Sequence, residues 1–475
     1  MQIDEARIRA IVEEVVREFS QRERLSPQSA PLLLEDRQAG SGIFPTVDDA
    51  VEAAEIAQEQ LMKLTLEKRK EIIQAIRTTG VEYAEDFSQR AREETGMGRV
   101  EDKIRKHLIA ATLTPGVEDL ASVAWSGDHG LTVVEMAPYG VICAVTPSTH
   151  PVPTILNNAI SIIAAGNSVV FNPHPGAKRV SLYGIQRINE GIIAAGGPPN
   201  LLTVVENPTI ETAQALMKHP KVDVLLVTGG PGVARAAMNS GKKAIVAGPG
   251  NPPVVVDETA DIEKAARDTI DGASFDNNIL CIGEKEVFVV ESVADHLKTC
   301  MKNYSACELT PEQIEQLTKV AFKEQNGELV VNKELVGKDA CILAEKIGLS
   351  ISQTTRMLIG ETTADHPFVQ HEQMMSFLPV VRVPDVQTAI DLAIQAEHGY
   401  GHTAVIHSRN VETMTIMGKR SNVSLYIKNG PSYAGLGVGG EGFTSFSIAG
   451  PTGEGATSAR TFTRQRRCTM VDYLR

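Results

Sequence analysis

Long apolar runs are missing from this chain. No stretch of about 18 or more uncharged apolar residues occurs in its 475 positions, so no membrane-spanning helix is expected. The N-terminus carries Asp4 and Glu5 and no apolar core segment, and does not read as a secretory signal. An excess of basic charge is missing too: the formal net charge is -13, which argues against a nucleic-acid partner. Arg464, Arg466 and Arg467 form the one basic cluster, read as a solvated tail or interface.

Cysteine is sparse. Cys143, Cys281, Cys300, Cys307, Cys341 and Cys468 include no CxxC pair, and no His lies at zinc-ligand spacing, so no metal site is expected. Without an export signal, these thiols fit a reduced, cytoplasmic setting. A P-loop is also lacking. Around Gly241-Lys242 it would need Gly at 236 and Ser or Thr at 243, where the chain has Ala236 and Lys243.

What is present is a soluble globular composition, 42% hydrophobic and 22% charged, at a length that suits two or three domains. Residues 2–19 place Ile8, Ile11, Val12, Val15, Val16 and Phe19 at helical spacing opposite charged residues. A polar, Pro- and Ser-containing stretch to about Gly42 reads as a flexible linker. Such a tethered helix needs a cover for its apolar stripe. It either docks back on its own domain or a sister subunit, or serves as a docking or targeting peptide.

Residues 46–120 carry helical patterning. Thereafter β-branched runs alternate with helices: strands at 131–135, 140–145, 168–171, 201–204, 222–227, 244–247 and 254–256, with helices at 154–165, 178–195, 211–218 and 231–240. A second alternating set follows Ala260, with strands at 286–290, 379–383, 403–407 and 423–428 and helices at 262–272 and 386–395. This alternation predicts two doubly wound parallel α/β units with a site between them.

Gly435–Gly442 contains the GxGxxG spacing twice, but no helix opens after it, so a mobile loop is the better reading. Thr228-Gly229-Gly230-Pro231-Gly232 ends an apolar strand and starts a helix. It is either an anion-binding turn or simply a tight connection. Cys281 lies in SFDNNILCIGEKE between the two α/β units, a better setting for a nucleophile than those of the other five cysteines; Cys300 and Cys307 fall in helix-like sequence, and Cys143 is mid-strand.

Taken in order, APYGVICAVTPSTHP, AAGNSVVFNPHPGAK, VTGGPGVARAAMNSGKKAIVAGPGNPPVVVDETAD, GASFDNNILCIGEK and IKNGPSYAGLGVGGEGFTSFSIAGPTGEGATSARTF resemble the aldehyde dehydrogenase superfamily. The likeness is closest to the coenzyme A-acylating enzymes of ethanolamine and propanediol utilisation in bacterial microcompartments. It implies an aldehyde dehydrogenase-like fold with two Rossmann-like α/β domains and a small β oligomerisation arm. The expected layout is a targeting helix at 1–19, a linker at 20–41 and an NAD-binding domain at 42–252, interrupted by the arm at about 120–138. A catalytic domain at 253–428 follows, then a return to the cofactor domain and an oligomerisation tail at 429–475.

The same resemblance assigns Cys281 as nucleophile and Thr149 as oxyanion donor beside the Cys281 N–H, with His402 as a possible acid/base group. NAD is expected across Thr146, Pro147, Ser148, Pro173, His174, Thr228, Gly229, Gly230, Gly232 and Gly248. Three departures from the hydrolytic branch stand out. Ala247 replaces the water-activating Glu, Asn172 replaces a ribose-binding Lys, and Met375 falls where a Glu grips the nicotinamide ribose. His150 falls where acylating relatives are expected to carry Asn. The implied activity is oxidation of a short aldehyde with NAD and coenzyme A through a Cys281 thioester. The alternatives are a hydrolytic dehydrogenase making a free acid and an inactive shell-docking scaffold. Shell proteins are the expected partners of residues 2–19, a homodimer or homotetramer the expected assembly, and a microcompartment in the cytoplasm the expected location. A lowered thiol pKa is expected at Cys281, although no adjacent cation accounts for it.

Overall fold

The computed structural model describes residues 40–472 apart from position 326. The targeting-helix reading of residues 1–19 lies outside the described residues, as does all but the end of the 20–41 linker.

Four helices open the described chain: Val47–Leu61, Leu66–Glu82, Ala84–Thr95 and Val100–Leu113. Thr46 and Thr65 cap the first two by accepting the backbone N–H groups of Asp49 and Lys68. A six-stranded sheet follows. Its order, named by first residue, is Ile43, Leu202, Ser168, Val141, Val224, Lys243, and every pair is parallel. The four central strands are buried along their whole length, as expected of strands covered on both faces. Chain order reverses between Val141–Thr146 and Val224–Thr228, which opens a crevice at their carboxyl ends. Helix Pro151–Ala164 leaves that crevice. All fourteen of its residues are buried, so it crosses the interior, with Asn157 hydrogen-bonded to Thr114, to the Thr444 carbonyl and to the Phe446 N–H.

The second sheet has seven strands, all parallel, in the order Ala306, Met357, Phe377, Glu286, Pro253, Thr403, Leu425. Its central strands begin just after Gly250–Pro252 and just after the Cys281 loop. The amino ends of this sheet therefore face the carboxyl ends of the first. A third sheet stands apart, in which Gly130–Pro138 is the central strand and pairs antiparallel with the exposed strand Val123–Gly127 on one side and Thr463–Val471 on the other. Asn167 ties its root to the first sheet: its amide donates to the Phe462 carbonyl at 2.9 Å, and its oxygen accepts from the N–H groups of Tyr139 and Gly140.

Predicted elements recur with ends shifted by a few residues. Helix Pro151–Ala164 starts three residues early because proline suits the first turn. Strands Ala306–Glu308 and Met357–Glu361 had no counterpart in the sequence reading, and Cys307 lies on the first of them rather than in a helix.

The backbone before Cys281 is unusual. Asp276, Asn277 and Asn278 all adopt left-handed conformations, with φ of 49°, 56° and 66°. Three such non-glycine residues in a row cost about 1 kcal/mol or more each unless side chains compensate. They do. The Asn277 amide donates to the carbonyl of Gly337 and the carboxylate of Asp339, each at 3.0 Å, and the Asn278 amide spans the carbonyls of Ala273 and Glu284, each at 2.8 Å. Gly98, at φ +72°, leaves room for the Asp276 carboxylate, which a Cβ would approach to 1.9 Å. Gly98→Ala should lower stability by about 2 kcal/mol or more, measured by urea unfolding; unchanged stability would show that this contact does not hold the loop.

Candidate active site

A cavity of about 540 Å³ occupies the crevice, within the size range of small-molecule sites. Thr146, Pro147, Ser148, Pro173, His174, Thr228, Gly229, Gly230, Gly232 and Gly248 all line it, together with Thr149 and Cys281. Cys281 is the one cysteine in this lining. Helix Pro231–Met238 starts at the crevice with Gly230 as its cap. A Cβ on Gly230 or Gly232 would meet nothing within 4 Å, so the helix start is open, as an anion-binding turn requires. Thr146 contributes a buried hydroxyl with no partner among the described residues. These features suit a dinucleotide. The glycine-rich 435–442 segment is absent from the cavity wall and, after the short helical turn Ser432–Leu436, opens no helix.

His402 is not in the wall. Its ring lies behind Gly250, whose added Cβ would sit 2.8 Å from the His402 Cγ and 2.7 Å from the Cys281 carbonyl oxygen. Its Nδ1 is 2.8 Å from the Thr403 hydroxyl, its Nε2 has no partner among the described residues, and burial pulls its pKa down to about 3. Ala247 and Asn172 do line the cavity. Met375 does not: it is fully buried among Phe368, Phe377 and Leu358. The carboxylate in the wall is Glu372, three positions earlier, accepting from the Gly250 N–H at 3.3 Å. The apolar Met375 packs into the core, while Glu372 lies in the polar run Gln370–Gln373, where nothing in the sequence singles it out.

Lys285 organises the Cys281 loop from inside. Its ammonium donates to the carbonyls of Asn278, Leu280 and Gly283 at 3.2, 2.9 and 3.1 Å, so the chain wraps around one buried cation. A second buried cluster fixes the loop from the other side. The Asp276 carboxylate accepts from Lys103 at 3.1 Å, from Lys106, and from the Arg99 N–H at 2.7 Å. Burial alone would raise the Asp276 pKa, but the two lysines outweigh it and hold it below its ordinary value. Lys106 also donates to the Thr149 carbonyl at 3.2 Å, so one ammonium touches both halves of the crevice; burial brings its pKa down to about 8.

The thiol does not behave as expected from the sequence. Burial, reinforced by the Glu372 carboxylate, pushes Cys281 up to about 12, and Lys285 opposes the shift without reversing it. The expectation of a lowered pKa is therefore corrected for the protein alone. Desolvation disfavours an anion here more than the nearest cation, which is occupied by three carbonyls, favours it. Glu372 is itself raised by burial to about 7.

Comparison with known proteins adds the following. The aldehyde dehydrogenase family matches residues 41–446. The acetylating acetaldehyde dehydrogenase EutE of Escherichia coli (strain K12) is 53% identical over 437 residues, covering 91% of this chain and 93% of that one. A crystal structure of Rhodopseudomonas palustris propionaldehyde dehydrogenase, with bound CoA and an acylated cysteine, superposes with a TM-score of 0.89 at 49% identity, covering 91% of this chain and 98% of that one. A propionaldehyde dehydrogenase from the Clostridium phytofermentans fucose utilisation bacterial microcompartment gives 0.89 at 46% identity, covering 91% and 99%.

Glu372→Gln removes a carboxylate that opposes the thiolate, so iodoacetamide should inactivate the variant faster at pH 7, with its pH profile displaced toward lower pH. Slower or unchanged inactivation would show that Glu372 does not act on the thiol.

Proposed function

The chain belongs to the aldehyde dehydrogenase family, and from that premise we propose that it oxidises a short-chain aldehyde, of the acetaldehyde or propionaldehyde kind, to its acyl-coenzyme A. The observation that carries this reading is the meeting of Cys281, Thr149 and all ten expected cofactor residues around one cavity that has Ala247, not an acid, at the water-activating position.

In this reading Cys281 Sγ adds to the aldehyde carbonyl and forms a thiohemiacetal alkoxide. Thr149 and the Cys281 N–H stabilise that charge; one such donor is typically worth about 3 kcal/mol of barrier. Thr146, Ser148, Pro173, His174 and the Gly229–Gly232 turn hold NAD, with the Glu372 carboxylate in the same wall available to the nicotinamide ribose. When bound, NAD supplies the hydride acceptor and a positive ring charge that favours the thiolate. The resulting Cys281 thioester is opened by the thiol of coenzyme A, which needs less help from a base than water does. His402 lies across Gly250 from the Cys281 carbonyl and is held neutral by burial, so an acid/base role would require its protonation to change once ligands bind.

Two outer parts complete the proposal. The sheet containing Val123–Gly127 exposes Trp125 and Val123 and suits a homodimer or homotetramer contact. The amphipathic pattern of residues 2–19 suits docking to microcompartment shell proteins, which would place the enzyme inside a cytoplasmic microcompartment. Among the described residues no helix is long and apolar enough to cross a membrane.

Cys281→Ala should abolish aldehyde-dependent NADH formation, and more than a few per cent of residual activity would move the nucleophile elsewhere. In the wild-type enzyme, NADH formation from propionaldehyde should require coenzyme A; multiple turnovers without it would favour the hydrolytic reading. Deleting residues 1–20 should leave kcat unchanged and end co-purification with shells, whereas undiminished co-purification would refute the docking role.

A further inference from the structure

Thr149 and His150 line the same cavity as Cys281, between strand Val141–Thr146 and helix Pro151–Ala164. The His150 imidazole is 5% exposed and packs against Phe446, with ring centroids 5.6 Å apart. Its Nδ1 lies 2.9 Å from the Thr149 hydroxyl oxygen. Burial, and then the charges of Lys106 and Lys103, hold the ring well below its ordinary pKa, so it carries a single proton.

That pairing decides what the Thr149 hydroxyl can do. A hydroxyl has one proton and two lone pairs. If Nδ1 accepted, the Thr149 proton would be consumed and only lone pairs would face the cavity, repelling an alkoxide. If Nδ1 donates, Thr149 Oγ1 accepts from it and the Thr149 proton is free to be donated to the reacting oxygen. The Thr149 carbonyl accepts from Lys106, while the contact made by His150 Nδ1 is with the Thr149 hydroxyl.

We propose that His150 stands as the Nδ1–H tautomer, donates to Thr149 Oγ1, and so aims the Thr149 hydroxyl at the thiohemiacetal oxygen formed on Cys281. His150 is thus a positioning residue, acting only through Thr149, and the proposal rests on the reading of Thr149 as oxyanion donor. The same chemistry decides which side chains could replace His150. An Asn side chain presents an N–H donor at the same δ position, whereas an aliphatic side chain of similar bulk presents none.

The test is a double-mutant cycle on the full chain, with steady-state kcat and KM for propionaldehyde at saturating NAD and coenzyme A. Melting temperature and NAD affinity are followed in parallel. Thr149→Val should lower kcat about a hundredfold. His150→Leu should lower kcat about tenfold with little change in KM, while His150→Asn stays within about threefold of wild type. In the Thr149→Val background, His150→Leu should have no further effect. Near-wild-type kcat in Thr149→Val would overturn the role of Thr149 itself. A strong Thr149→Val effect with an undiminished His150→Leu effect in that background would overturn the role of His150 alone. So would His150→Asn being as impaired as His150→Leu, or a kcat loss matched by lost NAD affinity or melting temperature.

Discussion

One buried carboxylate holds the two halves of the crevice in register. Asp276 comes from the segment that leads to Cys281, and its partners Lys103, Lys106 and the Arg99 N–H come from the start of helix Val100–Leu113. Lys106 then reaches the Thr149 carbonyl, so the helix acts as a strut between sulfur and hydroxyl. Removing one partner of such a buried ionic set typically costs about 3–5 kcal/mol, because an unbalanced charge is left behind. The left-handed backbone at Asp276–Asn278 persists because these contacts, with the amides of Asn277 and Asn278, leave the loop no other arrangement.

The electrostatics around Cys281 follow from the same economy of charge. Lys285 is spent on three carbonyls and Lys103 and Lys106 on Asp276, so none is free to stabilise a thiolate, while Glu372 opposes one. The protein alone keeps its sulfur protonated. A thiol that is poorly ionised until a positively charged ring binds beside it is protected from stray electrophiles, since the thiolate is the reactive form.

Much of this was legible in the residues. Alternating apolar runs located the strands of the first sheet, because buried parallel strands must be continuously apolar, and the glycines at 229, 230 and 232 marked a turn whose backbone lines the crevice. Met375 and Glu372 could not be told apart in sequence, since three positions along an irregular loop decide which side chain meets the crevice and which meets Phe377. The strut was equally hidden. Asp102, Lys103, Lys106 and His107 are charged or polar residues on one helix, yet all four are buried. Only the contact with a loop more than 170 residues away turns that face inward. The Asp-Asn-Asn run did carry a trace, because these residues tolerate left-handed backbone better than others.

The third sheet has a consequence for biosynthesis. Arg466 pairs with Glu135 across 331 residues of sequence, on strands that match along nine consecutive positions. While the ribosome is still translating the intervening chain, the hairpin at 123–138 must wait with a free, bondable edge, and for a translation rate of about 5–20 residues per second that interval lasts tens of seconds. An unpaired edge of this kind invites neighbours on the same messenger. Nascent copies emerging side by side would therefore be the first strangers this edge meets.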